Sequence, residues 1–225
     1  NVEWLPNHGL RVNAPTLIQS PAAAAKVIDG CMASQEITVE AWMQPANITQ
    51  DGPARIVTLS DDSLNRNFTL GEGEWGSRPS DVIDVRLRTT ATSDNGTPSV
   101  TTPAGSVALE LLHVVYTRDA TGNAKVYLDG DIAQAATVSG HFGNWNTQYR
   151  LGLANELTAD RPWLGTLHLV AIYERALNST EVQQNFDAGP GGEQPPPAPP
   201  TIAAQPGPVT VTEPDAATFA VTATG

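Results

Sequence analysis

Glu36-Ile-Thr-Val-Glu-Ala-Trp-Met43 alternates as a strand does. Ile37, Val39, Ala41 and Met43 fall on one side of a period-two pattern, and Thr38, Glu40, Trp42 and Gln44 on the other. Pro45 ends the run, because proline has no N–H to give to a ladder. An apolar run of the same kind returns at residues 164–173, followed at once by Glu174-Arg-Ala-Leu-Asn-Ser-Thr-Glu-Val182. There the period changes. Asn178 and Glu181 have the spacing of an N-cap and its N3 glutamate. Val182 and Phe186 stand at i and i+4, one apolar face of a short helix, and Gly189 stops it. The two stretches predict a β-sandwich closed by a short helix.

The chain between them supports this. Residues 55–60 and 67–70 read as a strand pair joined by the polar loop 61–66. In 82–88, Ile83, Val85 and Leu87 alternate with Val82, Asp84, Arg86 and Arg88, a strand with one wet face. Asp94-Asn-Gly96 is a turn signal, and Asp129-Gly130 predicts a tight hairpin between strands at 124–129 and 132–138. Further strands are expected at 111–118 and 148–153. Ser20-Pro-Ala-Ala-Ala-Ala-Lys-Val-Ile-Asp-Gly30 reads as a complete helix, with Ser20 as N-cap, Pro21 at N1 and Gly30 as the stop. No fixed period repeats within 1–189, which argues against a propeller or solenoid.

Residues 190–200, rich in proline, read as a semi-rigid linker. Beyond it, Val209-Thr-Val-Thr212 and Ala217-Thr-Phe-Ala-Val-Thr-Ala-Thr224 read as two strands. Residues 201–225 are too few to close a seven-stranded sandwich, so a partial domain or a strand tail is expected.

Acids outnumber bases 24 to 12, for a formal charge of −12. With no basic patch, Coulomb repulsion disfavours a nucleic-acid partner; an acidic surface suits solubility, a neutral glycan or a cation. The single cysteine, Cys31, permits neither an intrachain disulfide nor a zinc knuckle. No apolar run is long enough for a membrane helix, so no membrane insertion is expected. Asn1 is not a start methionine and no signal-peptide pattern is present, so a mature product or an excised fragment is expected.

No nucleophile elbow, dinucleotide fingerprint or Walker loop occurs. His8, His113, His141 and His168 show no zinc spacing. Two oxygen-rich loops are candidates for calcium: Asp61-Asp62 with Asn65, and Asn155-Glu156 with Asp160, the second preferred because strands pin it at both ends. Trp75 and Trp145 sit in glycine-flanked stretches, where an indole is a platform for a sugar or a contact anchor. Arg66 and Arg86 join them as candidate ligand contacts. Trp42 and Trp163 are expected to pack against the sandwich, Trp42 in its core.

Three stretches together resemble the laminin-G-like (concanavalin-A-like) family. They are Ile37-Thr-Val-Glu-Ala-Trp-Met-Gln-Pro45, then Leu112-His-Val-Val-Tyr-Thr-Arg118 with Lys125-Val-Tyr-Leu-Asp-Gly130, then Leu164-Gly-Thr-Leu-His-Leu-Val-Ala-Ile-Tyr-Glu-Arg-Ala-Leu177 with Glu181-Val182. The resemblance covers about 1–189 and implies an all-β, two-sheet antiparallel jelly-roll sandwich with one or two short helices. Such sandwiches often hold a rim calcium. The tail resembles the start of a bacterial immunoglobulin-like repeat. The expectation is a secreted or cell-surface, non-catalytic recognition or adhesion module of a larger bacterial polypeptide with further domains, binding a glycan or an extracellular protein. The alternatives are an assembly subunit that uses its strand tail, and a divergent glycoside hydrolase. For the last, Asp81-Val-Ile-Asp-Val-Arg86 is the nearest match to a glucanase acid motif, with arginine in place of the third acid. Gly71-Glu-Gly-Glu74 offers two more acids but reads as loop.

Overall fold

The computed structural model describes residues 1–6, 9–50, 52–76, 78–191, 201–204, 212 and 222–224. In chain order its elements begin with β1 (Val2–Trp4), β2 (Leu10–Val12), β3 (Ile18–Gln19), α1 (Ala25–Ser34) and β4 (Ile37–Pro45). Next come β5 (Ala54–Ser60), β6 (Arg66–Glu72), β7 (Ile83–Leu87), β8 (Val100–Thr101) and β9 (Leu112–Arg118). Then follow β10 (Asn123–Leu128), β11 (Asp131–Thr137), a 3-10 turn at Phe142–Asn144, β12 (Arg150–Leu153), β13 (Gly165–Tyr173) and α2 (Ser179–Ala188). A separate unit beyond residue 191 contains β14 (Thr201–Ala204) and β15 (Thr222–Thr224), which pair with each other. Residues 192–200, most of the proline-rich linker, lie outside the described residues, as does nearly all of the strand expected at 209–212.

Two antiparallel sheets face each other. One has seven strands in the order β1-β2-β13-β4-β9-β10-β11, the other six in the order β3-β12-β5-β6-β7-β8. The alternation in β4 places its odd residues as expected: Ile37, Val39, Ala41 and Met43 are buried between the sheets against Leu59, Phe68, Leu70, Val85 and Val114. The Asp129-Gly130 turn joins β10 to β11 with both residues at positive φ, 50° and 88°, the twist a two-residue hairpin requires.

Three expectations are corrected. Helix α1 starts at Ala25, without a side-chain cap, and continues past Gly30. Ser20 instead extends the β3–β12 pairing: its N–H donates to the Leu151 carbonyl and its Oγ accepts the Leu151 N–H. Gly30 is internal to the helix; the stop is Gln35, in the left-handed region at φ 62°. Residues 71 and 72 belong to β6 and not to a loop. Trp42 is buried, but on the other side of its sheet from the core.

That outer side of the seven-stranded sheet is sealed by α2. Asn178 and Glu181 form the predicted capping box. The helix lays Val182 on Val115 and Tyr127. Trp42, His113 and Phe186 form one stacked cluster, with Trp42 at 4.7 Å from His113 and 5.7 Å from Phe186. Beneath them Glu40 meets His113 Nε2 at 2.9 Å and accepts bonds from Tyr173 Oη and Asn185 Nδ2. Burial works against the charge of Glu40, but these hydrogen bonds outweigh it and hold the carboxyl below its usual range.

Replacing Val39, 1 % exposed, with Asp buries an unpaired carboxylate, at a cost of several kcal/mol. Since a domain's whole stability is on the order of 5–15 kcal/mol, V39D is expected to lose its cooperative thermal transition, as followed by circular dichroism.

Candidate functional site

The outer face of the six-stranded sheet is built differently. Side chains that alternate with the core residues of β5 and β6 are Arg55, Thr58, Ser60, Arg66 and Thr69, and all are buried. They form one polar layer. Thr58 Oγ1 donates to Ser60 Oγ at 3.0 Å and lies 2.8 Å from Thr69 Oγ1, which accepts from Arg66 Nη1 at 3.1 Å. Arg55 Nε donates to Glu156 Oε2 at 2.8 Å, and Ser60 Oγ donates to the same carboxylate. On β7, Asp84 accepts from Arg86 Nε at 2.9 Å and from Thr101 Oγ1 at 2.8 Å. Arg86 also reaches Asn95 Oδ1 at 3.1 Å.

Loops cover this layer and leave a cavity of about 700 Å³, lined among others by Arg55, Ser63, Trp75, Arg86, Asn95 and Arg161. Trp75 is 55 % exposed. The Arg161 guanidinium sits 4.3 Å from its ring centroid and is itself held by Asp160 at 2.9 Å. Arg78, also in the lining, pairs with Glu74 at 3.1 Å. The volume falls within the range of small-ligand sites, and an exposed indole beside guanidiniums and amides can stack on a sugar ring while donating to its oxygens. Burial, reinforced by the nearby positive charge of Arg55, pushes the Arg66 guanidinium down to about 9.

The expected site residues therefore separate. Trp75 and Arg86 meet in the cavity. Arg66 lies below its surface, fully buried, with Nη2 donating to the carbonyl of Ser63. Trp145 is no platform. It is 4 % exposed, stacked on Phe142 at 4.5 Å, with Nε1 donating to the Arg88 carbonyl at 2.7 Å. Its ring fills the core and has no face left for a ligand. Asn95, Arg161, Ser63 and Arg55 went unseen in the sequence, because nothing local marks residues from four separate segments as neighbours.

In both candidate calcium clusters most side-chain oxygens already accept hydrogen bonds from protein groups. The Glu156 carboxylate is taken by Arg55, Ser60 and the Leu157 N–H. Asn155 Oδ1 accepts the N–H groups of Glu156 and Arg161. Asp160 is held by Thr158 and Arg161. Asp62 accepts from Leu64 and Asn65, closing the turn that begins at Asp61. Among the described residues no three His, Cys, Asp or Glu side chains converge as metal ligands.

Glu72 is the most perturbed acid of this sheet. It is fully buried and accepts from Trp163 Nε1 at 2.7 Å and Gln50 Nε2 at 3.1 Å, while Oε1 has no partner among the described residues. Burial pushes its carboxyl up to about 7, against those two hydrogen bonds. It does not line the cavity.

Residues 19–183 match the family described as the concanavalin A-like lectin/glucanases superfamily, in its laminin-G form, and the chain belongs to that family. No curated protein matches it. Among solved structures, the binding domain of botulinum neurotoxin DC in complex with rat synaptotagmin II aligns with a TM-score of 0.58 and 12 % identity, over 84 % of this chain and 45 % of that one. Domain 4 of AbnA, a GH43 extracellular arabinanase from Geobacillus stearothermophilus, in complex with arabinotriose, aligns at 0.53 and 18 %, over 78 % and 74 %. The native heptameric SAP-like pentraxin from Limulus polyphemus aligns at 0.51 and 13 %, over 77 % and 76 %. At these identities the likeness is one of fold. The chain spans less than half the length of the neurotoxin domain.

Two outcomes follow. First, melting midpoints in calcium and in chelator should coincide, whereas Glu156→Gln should melt well below the parent protein. Removing the anion from a buried pair costs about 3–5 kcal/mol. Second, Glu72 keeps its proton in the folded state up to about pH 7, against an ordinary 4.5. Its contribution to stability is full below pH 4.5 and is lost as pH rises to about 7, on the order of 3 kcal/mol. In urea unfolding, the stability of the parent relative to Glu72→Gln should fall across that window and level off above it.

Proposed function

We propose that the domain is a non-catalytic binding module that takes a glycan in the cavity at Trp75. The observation that carries this reading is the cavity itself: an exposed indole over a floor of ordered arginine and amide groups. Among the described residues Glu74 is the one carboxylate in its lining, whereas glycoside hydrolysis needs two acids across the scissile bond. Asp84 is buried and tied to Arg86 and Thr101, and Glu72 lies away from the cavity. The structural neighbours support a binding role of either kind: one is in complex with arabinotriose, another with synaptotagmin. The size of the cavity favours the glycan.

The proposed setting is a secreted or surface-exposed polypeptide with further domains. The proline-rich stretch and the threonine-rich segment after it support it. Antibody raised against residues 1–191 should label intact, unpermeabilised cells; labelling only after permeabilisation would refute the placement.

On a glycan array the folded domain should retain a defined set of sugars. Trp75→Ala should weaken that binding about tenfold, the loss expected for one stacking contact, with little change in melting temperature because the ring is half exposed. A silent array, or binding indifferent to Trp75, would overturn the reading.

A further inference from the structure

We infer that the cavity selects a glycan bearing a carboxylate, such as a uronic acid residue, over its neutral counterpart, with Arg86 and Arg161 as the acid subsite. The inference rests on the glycan reading above and names its substrate class.

The chain is acidic and holds 12 Lys and Arg in all. Four of them, Arg55, Arg78, Arg86 and Arg161, line this one cavity, and Arg66 lies against its floor through Ser63. Four carboxylates answer them. Glu156 pairs with Arg55, Glu74 with Arg78, Asp84 with Arg86 and Asp160 with Arg161. Arg66 makes no salt bridge among the described residues, and its Nε is buried without a partner. The guanidinium without a salt-bridge partner of its own, Arg66, is fully buried, where its charge is poorly screened. Compensation by an anion from outside is the favourable completion.

Two features choose the carboxylate. Arg86 is held through Nε and Nη1 by Asp84 and Asn95 while its side chain stays 14 % exposed, so the fork is fixed before any ligand arrives. A planar guanidinium fixed in this way matches a planar carboxylate. Arg161, with its side chain 19 % exposed, is oriented by Asp160 and lies over Trp75. A ring stacked on the indole therefore brings its substituents to a second guanidinium.

The test is calorimetry at physiological salt with matched pairs: oligogalacturonides against their carboxyl-reduced forms, and sialyllactose against lactose. In at least one pair the acid should bind about tenfold or more tightly. Arg86→Gln and, separately, Arg161→Gln should shrink that preference toward parity, while Trp75→Ala weakens acid and neutral members alike. Melting curves identify any variant that fails to fold, and either arginine variant alone suffices. Equal affinity within both pairs, with Trp75-dependent binding intact, would refute the acid subsite and leave glycan binding standing. No binding of any sugar would refute both. A sulfated oligosaccharide that matched the carboxylated one would refute the assignment to a carboxylate.

Discussion

The buried pair of Arg55 and Glu156 organises one side of this protein. Arg55 stands on β5, and Glu156 on the loop that leads from β12 to β13; the two meet at 2.8 Å with both side chains essentially inaccessible to water. Neither charge is tolerable there alone, since the effective desolvation penalty is several kcal/mol per ion. The pair fixes where the loop must lie. Asn155 closes the loop on the N–H of Arg161, and the Arg161 carbonyl takes the N–H of Arg55. The Trp163 N–H bonds to the Ala154 carbonyl, and its indole points into the core toward Glu72. Arg161 is thereby left at the rim, over Trp75.

The two outer faces of the sandwich show two solutions to one problem. A strand whose inward residues fill the core still presents every second side chain outward. On the seven-stranded sheet those outward residues include Trp42, Val115, Tyr127 and the hydrogen-bonded Glu40, and a capped helix covers them with Phe186 and Val182. The result is a sealed layer in which Glu40 is satisfied by three partners. On the six-stranded sheet the outward residues are arginine, threonine and serine, and loops rather than a helix cover them. Loops leave gaps, so a cavity forms on this face.

Such a polar floor costs stability wherever a group is unmatched. The buried Nε of Arg66 and Oε1 of Glu72 are two such places. An unpaired buried polar group costs about 1–3 kcal/mol. Glu72 limits its cost by holding a proton to unusually high pH. Arg66, pushed down to about 9, still keeps its charge at neutral pH.

The sequence by itself determined the sandwich. Period-two alternation in β4, the Asp129-Gly130 hairpin and the capping box at Asn178 are local signals, each written within a few residues and each obeyed. Local signals misled in places: Gly30 reads as a helix stop, but α1 runs through it to a left-handed Gln35. Trp145 reads as a loop platform and is drawn into the core by Phe142 and the Arg88 carbonyl. Trp75 was legible as a candidate, but its neighbours in the cavity were not. Only the tertiary structure brought Arg55 to Glu156, 101 positions away, and Ser60 to the same carboxylate across 96. A charge in a sequence carries no record of its partner when sheet register and loop closure, not chain proximity, set the distance. The polar floor and the cavity above it therefore arise from the fold.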